Sequence, residues 1–165
     1  MKLFMRKNNI VFGDTIVDRY VACDPVGMSN EAPVVVVKEL ETQDYIGGAA
    51  IVAAHVAAFG RNCTFLSVAG EDPECDFVEE TLQSRGITTY IIRDSERPTT
   101  FKMRYMVENQ KLFRVSRLKE HSVTSPIETK IIEYLEDLAP NLVAIVVSDF
   151  VYGVVSPKIL ETILR

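Results

Sequence analysis

The residues predict an α/β protein, a doubly wound and mainly parallel sheet that carries a second, small β layer. Three observations predict it. Short apolar runs (Ile10–Phe12, Thr64–Ala69, Thr88–Ile92, Leu142–Val147) alternate with segments of helical periodicity, the pattern that winds parallel strands between helices. Two of these runs lead into Gly13-Asp14 and Ser148-Asp149, which puts acidic groups at the carboxyl ends of strands. The regions 20–40 and 98–118 break the alternation with β patterning of their own.

Taken in order, Ile10–Phe12 is a buried strand and Val34–Val37, introduced by Pro33, is a β-branched one. Gly47 to Phe59 reads as a helix, because Ala49, Ala50, Ala53, Ala54, Ala57 and Ala58 share one side and Gly60 stops it; such a small-residue face seats closely on a sheet. Thr64–Ala69 is the next strand. Asp72-Pro73 sets an N-cap and a proline at the first helical position, and Phe77, Val78 and Leu82 form the stripe that runs to Gly86. After the strand Thr88–Ile92, Phe101, Met103, Tyr105 and Val107 alternate with Thr100, Lys102, Arg104 and Met106; Glu108-Asn109-Gln110 then turns the chain into Leu112–Leu118, a hairpin. Ser125-Pro126-Ile127-Glu128 has the form of a capping box ahead of the stripe Ile127, Ile131, Leu135, Leu138. Leu142–Val147 is the most continuous apolar strand, and Ser156-Pro157 opens a last helix.

The 165 residues suffice for one domain with a sizeable core, and 47% apolar with 25% charged residues is too apolar for a disordered chain. A formal charge of −5 without any basic run argues against a nucleic-acid partner. The cysteines Cys23, Cys63 and Cys75 form no Cys-x-x-Cys pair and suggest neither a disulfide framework nor a zinc site, which fits a reducing cytoplasm. Met1 to Asn9 carries three cations, but Gly13 and Asp14 interrupt the apolar run that follows too early for a signal-peptide core, and nothing approaches a membrane span.

In open parallel sheets ligands bind beyond the carboxyl ends of the strands, so Asp14 and Asp149, with Asp18, could meet in one crevice. Converging carboxylates suit a polyol, whose many hydroxyl donors they accept; the plainer reading has Asp14 capping a turn and Asp18 paired with Arg19 in solvent. Gly47-Gly48 either presents backbone N–H groups to a ligand ahead of the helix or is a tight loop. Thr100, Lys102 and Arg104 share a face of the hairpin, with Arg114 across its turn, and either hold a phosphate or form a wet face. His55 and His121 lack ligand-like spacing.

Residues 10–18, Ile-Val-Phe-Gly-Asp-Thr-Ile-Val-Asp, residues 47–53, Gly-Gly-Ala-Ala-Ile-Val-Ala, and residues 148–153, Ser-Asp-Phe-Val-Tyr-Gly, together resemble the N-terminal half of the ribokinase-like (PfkB) carbohydrate kinases. Asp18-Arg19-Tyr20, Glu31-Ala32-Pro33-Val34 and Asn109-Gln110 extend the resemblance to the heptose-7-phosphate kinase subgroup of ADP-heptose synthesis. The resemblance implies a ribokinase-like fold with a β lid made by the two interrupting regions, and often a homodimer through that lid. It implies sugar contacts at Asp14, Asp18, Gly47, Gly48 and Asp149, and lid contacts at Lys102 and Arg104. ATP and magnesium serve the complete enzymes, whose catalytic aspartate and glycine-rich anion hole lie in the C-terminal half and have no counterpart in these 165 residues. Three positions depart from the family pattern: Ile51 for asparagine, Tyr152 for lysine and Cys75 for glycine. The expectation is therefore an N-terminal kinase portion that recognises a sugar or sugar phosphate and needs a C-terminal half or second chain for phosphotransfer, with little affinity for ATP or magnesium alone. The alternative is a non-catalytic sugar-binding or protein-interaction module.

Overall fold

The computed structural model describes residues 8–165. Two four-stranded sheets make up the β structure. The first contains β1 (Asn8–Gly13), β4 (Cys63–Ala69), β5 (Thr88–Arg93) and β8 (Leu142–Ser148), all parallel in the order β5-β4-β1-β8. The second contains β2 (Thr15–Met28), β3 (Val35–Gly48), β6 (Thr100–Val107) and β7 (Gln110–Arg117) in the order β3-β2-β6-β7. It is built from two antiparallel hairpins joined by parallel pairing of β2 with β6. Helices α1 (Ala49–Ala58), α2 (Pro73–Ser84), α3 (Ser125–Leu138) and α4 (Pro157–Ile163) complete the fold.

Period-two alternation gives the parallel sheet two apolar faces. Val11 and Phe65 point into a cluster with Ala49, Ala50, Ala53, Val78 and Leu82, which belongs to α1 and α2. Ile10, Phe12, Leu66 and Val68 point the other way, into Ile131, Leu135 and Ile159 of α3 and α4. Both phenylalanines are wholly buried. Each such side chain contributes about 1.5–3 kcal/mol, so the helices packed on both faces are what hold the sheet.

Asp72 is the N-cap of α2: one carboxylate oxygen accepts the Cys75 N–H at 3.0 Å and the other accepts the Thr99 N–H at 2.8 Å. One side chain thereby caps a helix and ties down the approach to β6.

Several elements differ from the sequence expectation. The β-branched run at Val34–Val37 is the start of a 14-residue strand, and Thr15–Met28 is its equally long partner. The β structure expected over 20–40 is present but longer at both ends, and the run of β3 to Gly48 was hidden because the strand is polar and exposed on much of its length, so no apolar alternation marks it. Gly47 and Gly48 finish β3 and do not belong to α1, which starts at Ala49. The capping box at Ser125 does not form. The N-cap is Thr124, which makes no side-chain cap bond, and Glu128 instead accepts the Ser156 hydroxyl at 2.5 Å and faces Lys158 at 3.5 Å. The glutamate thus braces α4. Cys23, Cys63 and Cys75 are buried free thiols, and burial pushes Cys63 and Cys75 up to about 11. Among the described residues no helix is long and apolar enough to cross a membrane. The cation-bearing start, Met1 to Lys7, lies outside the described residues.

Candidate functional site

Asp14 is the single residue between β1 and β2, where the chain leaves one sheet for the other. Its N–H donates to the Ser148 carbonyl at 3.2 Å and its carbonyl accepts the Ala49 N–H at 2.9 Å, so it joins the end of β8 to the start of α1. The residue is 1% exposed. Oδ2 accepts the Phe150 N–H at 2.6 Å, while Oδ1, fully buried, has no hydrogen-bond partner among the described residues. Burial holds the carboxyl above its ordinary 3.8; the N–H groups of Phe150, Tyr152 and Val154 oppose that rise and the Asp149 charge adds to it. A small cavity of about 10 Å³, bordered by Asp14, Thr15, Arg97, Thr100 and Tyr152, adjoins the carboxylate and matches about one water. Beneath it the Ser67 hydroxyl donates to the Gly13 carbonyl at 2.6 Å, so Thr15 must be the donor in its 2.6 Å contact with Ser67.

Asp149 follows β8 as Asp14 follows β1, and Gly13 pairs with Ser148 in register. The two aspartates therefore leave adjacent parallel strands at the same end. Asp149 is exposed, and its Oδ1 accepts the Val151 N–H at 2.7 Å, which shapes the loop 149–154. Val151 sits at φ 65°, a region that costs a β-branched residue about 1–3 kcal/mol. No sequence signal marks that strain.

From the second sheet, Asp18 of β2 lies in register with Tyr45 of β3 and Lys102 of β6. Its carboxylate pairs with the Arg104 guanidinium, and the expected partner Arg19 instead forms a two-pronged pair with Asp44 at 2.6 Å on each side. Arg104 also lies 5.3 Å from the Tyr20 ring centre and opposite Arg114 in register. A Cβ on Gly47 would come within 2.7 Å of Asp18 Oδ2, so the glycine leaves room for that carboxylate.

Gly48 pairs with Thr15 in the β2–β3 ladder, and the first N–H of α1 is taken by Asp14. The glycine pair is thus a close-packed joint, with Asp14 seated against it.

Lys102 is 8% exposed, so the face it shares with Thr100 is not wet. Its ammonium stands 5.0 Å from the Tyr152 ring centre and 5.7 Å from that of Phe150, and among the described residues it pairs with no carboxylate. Tyr152, where the family pattern has lysine, hence borders an ammonium supplied by β6. Ile51 packs, partly buried, on the α1–α2 core, and Cys75 is buried in the first turn of α2.

The site thus brings Asp14, Asp149, the Gly47-Gly48 joint and Lys102 to the carboxyl end of the parallel sheet, with Asp18 beside Gly47 and level with Lys102, and its partner Arg104 two residues further along β6. Arg97 and the Phe150 N–H escaped the sequence reading. An arginine between glutamate and proline looks like surface, and a backbone donor leaves no mark in a sequence.

The architecture is ribokinase-like. It superposes on a candidate phosphofructokinase from Staphylococcus aureus with a TM-score of 0.73 and 16% identity, covering 94% of this chain and 47% of that one. Against Arabidopsis thaliana ribokinase, solved with ribose and ATP, the TM-score is 0.54 at 18% identity, covering 77% and 43%. The family model for pfkB family carbohydrate kinases matches residues 6–165, and the chain belongs to that family. It is 31% identical over 163 residues to a bifunctional protein HldE from Nitratiruptor sp., covering 98% of this chain and 35% of that protein. It is 35% identical over 149 residues to a D-beta-D-heptose 7-phosphate kinase from Bordetella bronchiseptica, covering 90% and 47%. The chain spans between a third and a half of these relatives.

Proposed function

We propose that this chain is the sugar-recognising portion of an ATP-dependent kinase acting on a sugar phosphate of the heptose 7-phosphate type. The observation that carries the reading is the buried Asp14 carboxylate, with one oxygen held by a backbone N–H and the other unpartnered, at the strand ends where α/β sheets take their ligands. An acceptor oxygen fixed in this way suits a sugar hydroxyl. Asp149 supplies a second acceptor from the neighbouring strand, and Lys102, unpaired with any carboxylate among the described residues, suits a substrate phosphate. Arg104 is already neutralised by Asp18, so its role on the second sheet is to orient that carboxylate.

ATP and magnesium are the co-substrate and metal that the family implies. Among the described residues no three His, Cys, Asp or Glu side chains gather as a metal site. The part proposed for the residues described above is on the sugar side: they bind, orient and desolvate the acceptor. The exposed apolar side chains Leu112, Phe113 and Val115 on β7 support self-association through the second sheet as a lid, and the buried thiols fit a cytoplasmic setting.

Calorimetric titration tests the substrate class. Heptose 7-phosphate should bind about tenfold more tightly than the unphosphorylated heptose, and Lys102→Met should erase that difference. Equal affinities for the two sugars in the unaltered protein would overturn the phosphate reading.

A further inference from the structure

We propose that Arg97 is the positioning residue of this site: its buried guanidinium holds the 149–154 loop where the Phe150 N–H meets Asp14. The proposal rests on the sugar-binding reading above for its functional consequence, and on geometry for the rest.

The segment that carries Arg97 is stitched down. Asp94 N–H donates to the Ala69 carbonyl at 2.9 Å, Gly70 N–H to the Thr99 hydroxyl at 3.0 Å, and Thr99 N–H to Asp72 at 2.8 Å. From that base the Arg97 side chain, 4% exposed, reaches three acceptors on three segments. Nε donates to Asp94 Oδ2 at 3.1 Å, Nη2 to the His121 carbonyl at 3.0 Å, and Nη1 to the Tyr152 carbonyl at 3.4 Å. The planar fork of donors is what allows this, and an ammonium cannot reproduce its directions.

The segments so gathered touch each other as well. Val123 N–H donates to the Gly153 carbonyl at 2.9 Å, and a Cβ on Gly153 would fall 2.2 Å from the His121 carbonyl oxygen. Between Tyr152 and Phe150 lies Val151 at φ 65°, a strained backbone that persists only where its surroundings hold it. Arg97 grips one side of that strained residue, and Asp14 receives the N–H on the other. Buried ion pairs add little net stability over apolar packing, so a role in stability alone does not explain a guanidinium spread over three loops.

Arg97→Ala and Arg97→Lys in the full protein test this by hydrogen exchange and sugar-phosphate binding. In Arg97→Ala the Phe150 amide should exchange about tenfold faster or more, while amides of β1 and β4 stay protected. Affinity for heptose 7-phosphate should fall about tenfold, the KM for ATP should hold, and added guanidinium should restore binding in this variant alone. Arg97→Lys should behave like the alanine variant despite keeping the charge, and it decides the matter should Arg97→Ala fail to fold. Unchanged Phe150 exchange in a folded variant, or a loss of protection spread evenly over the core, would overturn the proposal. A protein that binds no heptose 7-phosphate at all would refute the proposed function, and the exchange arm would still decide the role of Arg97.

Discussion

Replacing Asp14 with asparagine is expected to lower affinity for the sugar substrate by roughly ten- to a hundredfold and, at neutral pH, to raise thermal stability. The loss follows from removing a charged acceptor, since hydrogen bonds to charged groups contribute about 1.5–3 kcal/mol and 1.4 kcal/mol is a factor of ten. The stability gain follows from linkage. Burial holds the folded carboxyl above its unfolded value near 3.8, so the folded state binds the proton more tightly than the unfolded chain does. Below that unfolded value both states are protonated and the group costs nothing. As pH rises from there through the folded value, the folded protein must ionise a buried acid, and stability falls. Asparagine keeps the shape and accepts the Phe150 N–H through its one carbonyl oxygen; it gives up the second acceptor that the Tyr152 and Val154 N–H groups favour, which offsets part of the gain. Melting temperatures of the two proteins should therefore converge near pH 3.5 and separate towards pH 7, with the variant higher. A variant that is less stable at pH 7, or one that binds sugar phosphate unchanged, would show that Asp14 is held for the fold.

The second large effect is expected at Gly48. It adopts φ 57° and ψ −137°, a region essentially closed to residues with a Cβ, and a Cβ built there would lie 2.3 Å from the Asp14 carbonyl oxygen. That oxygen is the acceptor for the first N–H of α1. Gly48→Ala should combine backbone strain with loss of this joint and cost about 4 kcal/mol, or roughly 10 °C in melting temperature for a chain of this size. Gly60→Ala is the control: φ is 72° but nothing lies within 4 Å of the added methyl, so about 1 kcal/mol is expected. Circular dichroism melts compare the two directly. Equal losses would mean that the close approach to Asp14 carries no weight.

The parallel sheet was legible from its continuous apolar runs: Ile10–Phe12 is buried on both faces, while Leu142–Val147 on the edge strand β8 is as apolar but leaves Val143, Ala144 and Val146 exposed. The second sheet was half legible. The β6–β7 hairpin alternates around a polar turn, but Lys38 to Asp44 on β3 is almost entirely polar, and its strand character comes from pairing with β2. Of the candidate site, the two aspartates could be placed at strand carboxyl ends from pattern alone, but that β1 and β8 are neighbours comes only from the strand order. The partners of Asp18 and Arg19 could not, since they depend on cross-strand register with Arg104 and Asp44. Glu128 was misread as a cap for a similar reason: its partner Ser156 lies on another helix.

One residue separates β1 from β2, none separates β3 from α1, and Thr99, held by Asp72 and Gly70, leads straight into β6, so the second sheet is clamped to the parallel sheet at one end and its strands project from that clamp. β2 runs 14 residues from that clamp, about 43 Å at about 3.3 Å per residue. A bend of about 10° in the sheet beyond that clamp would carry the far end roughly 7 Å, yet would leave the Asp14 carboxylate nearly where it was. The acceptor oxygen lies at the clamped end. A large swing at the tip can thus be exchanged for almost no disturbance at the group that reads the substrate, so closing over a ligand and holding it in register become separable tasks.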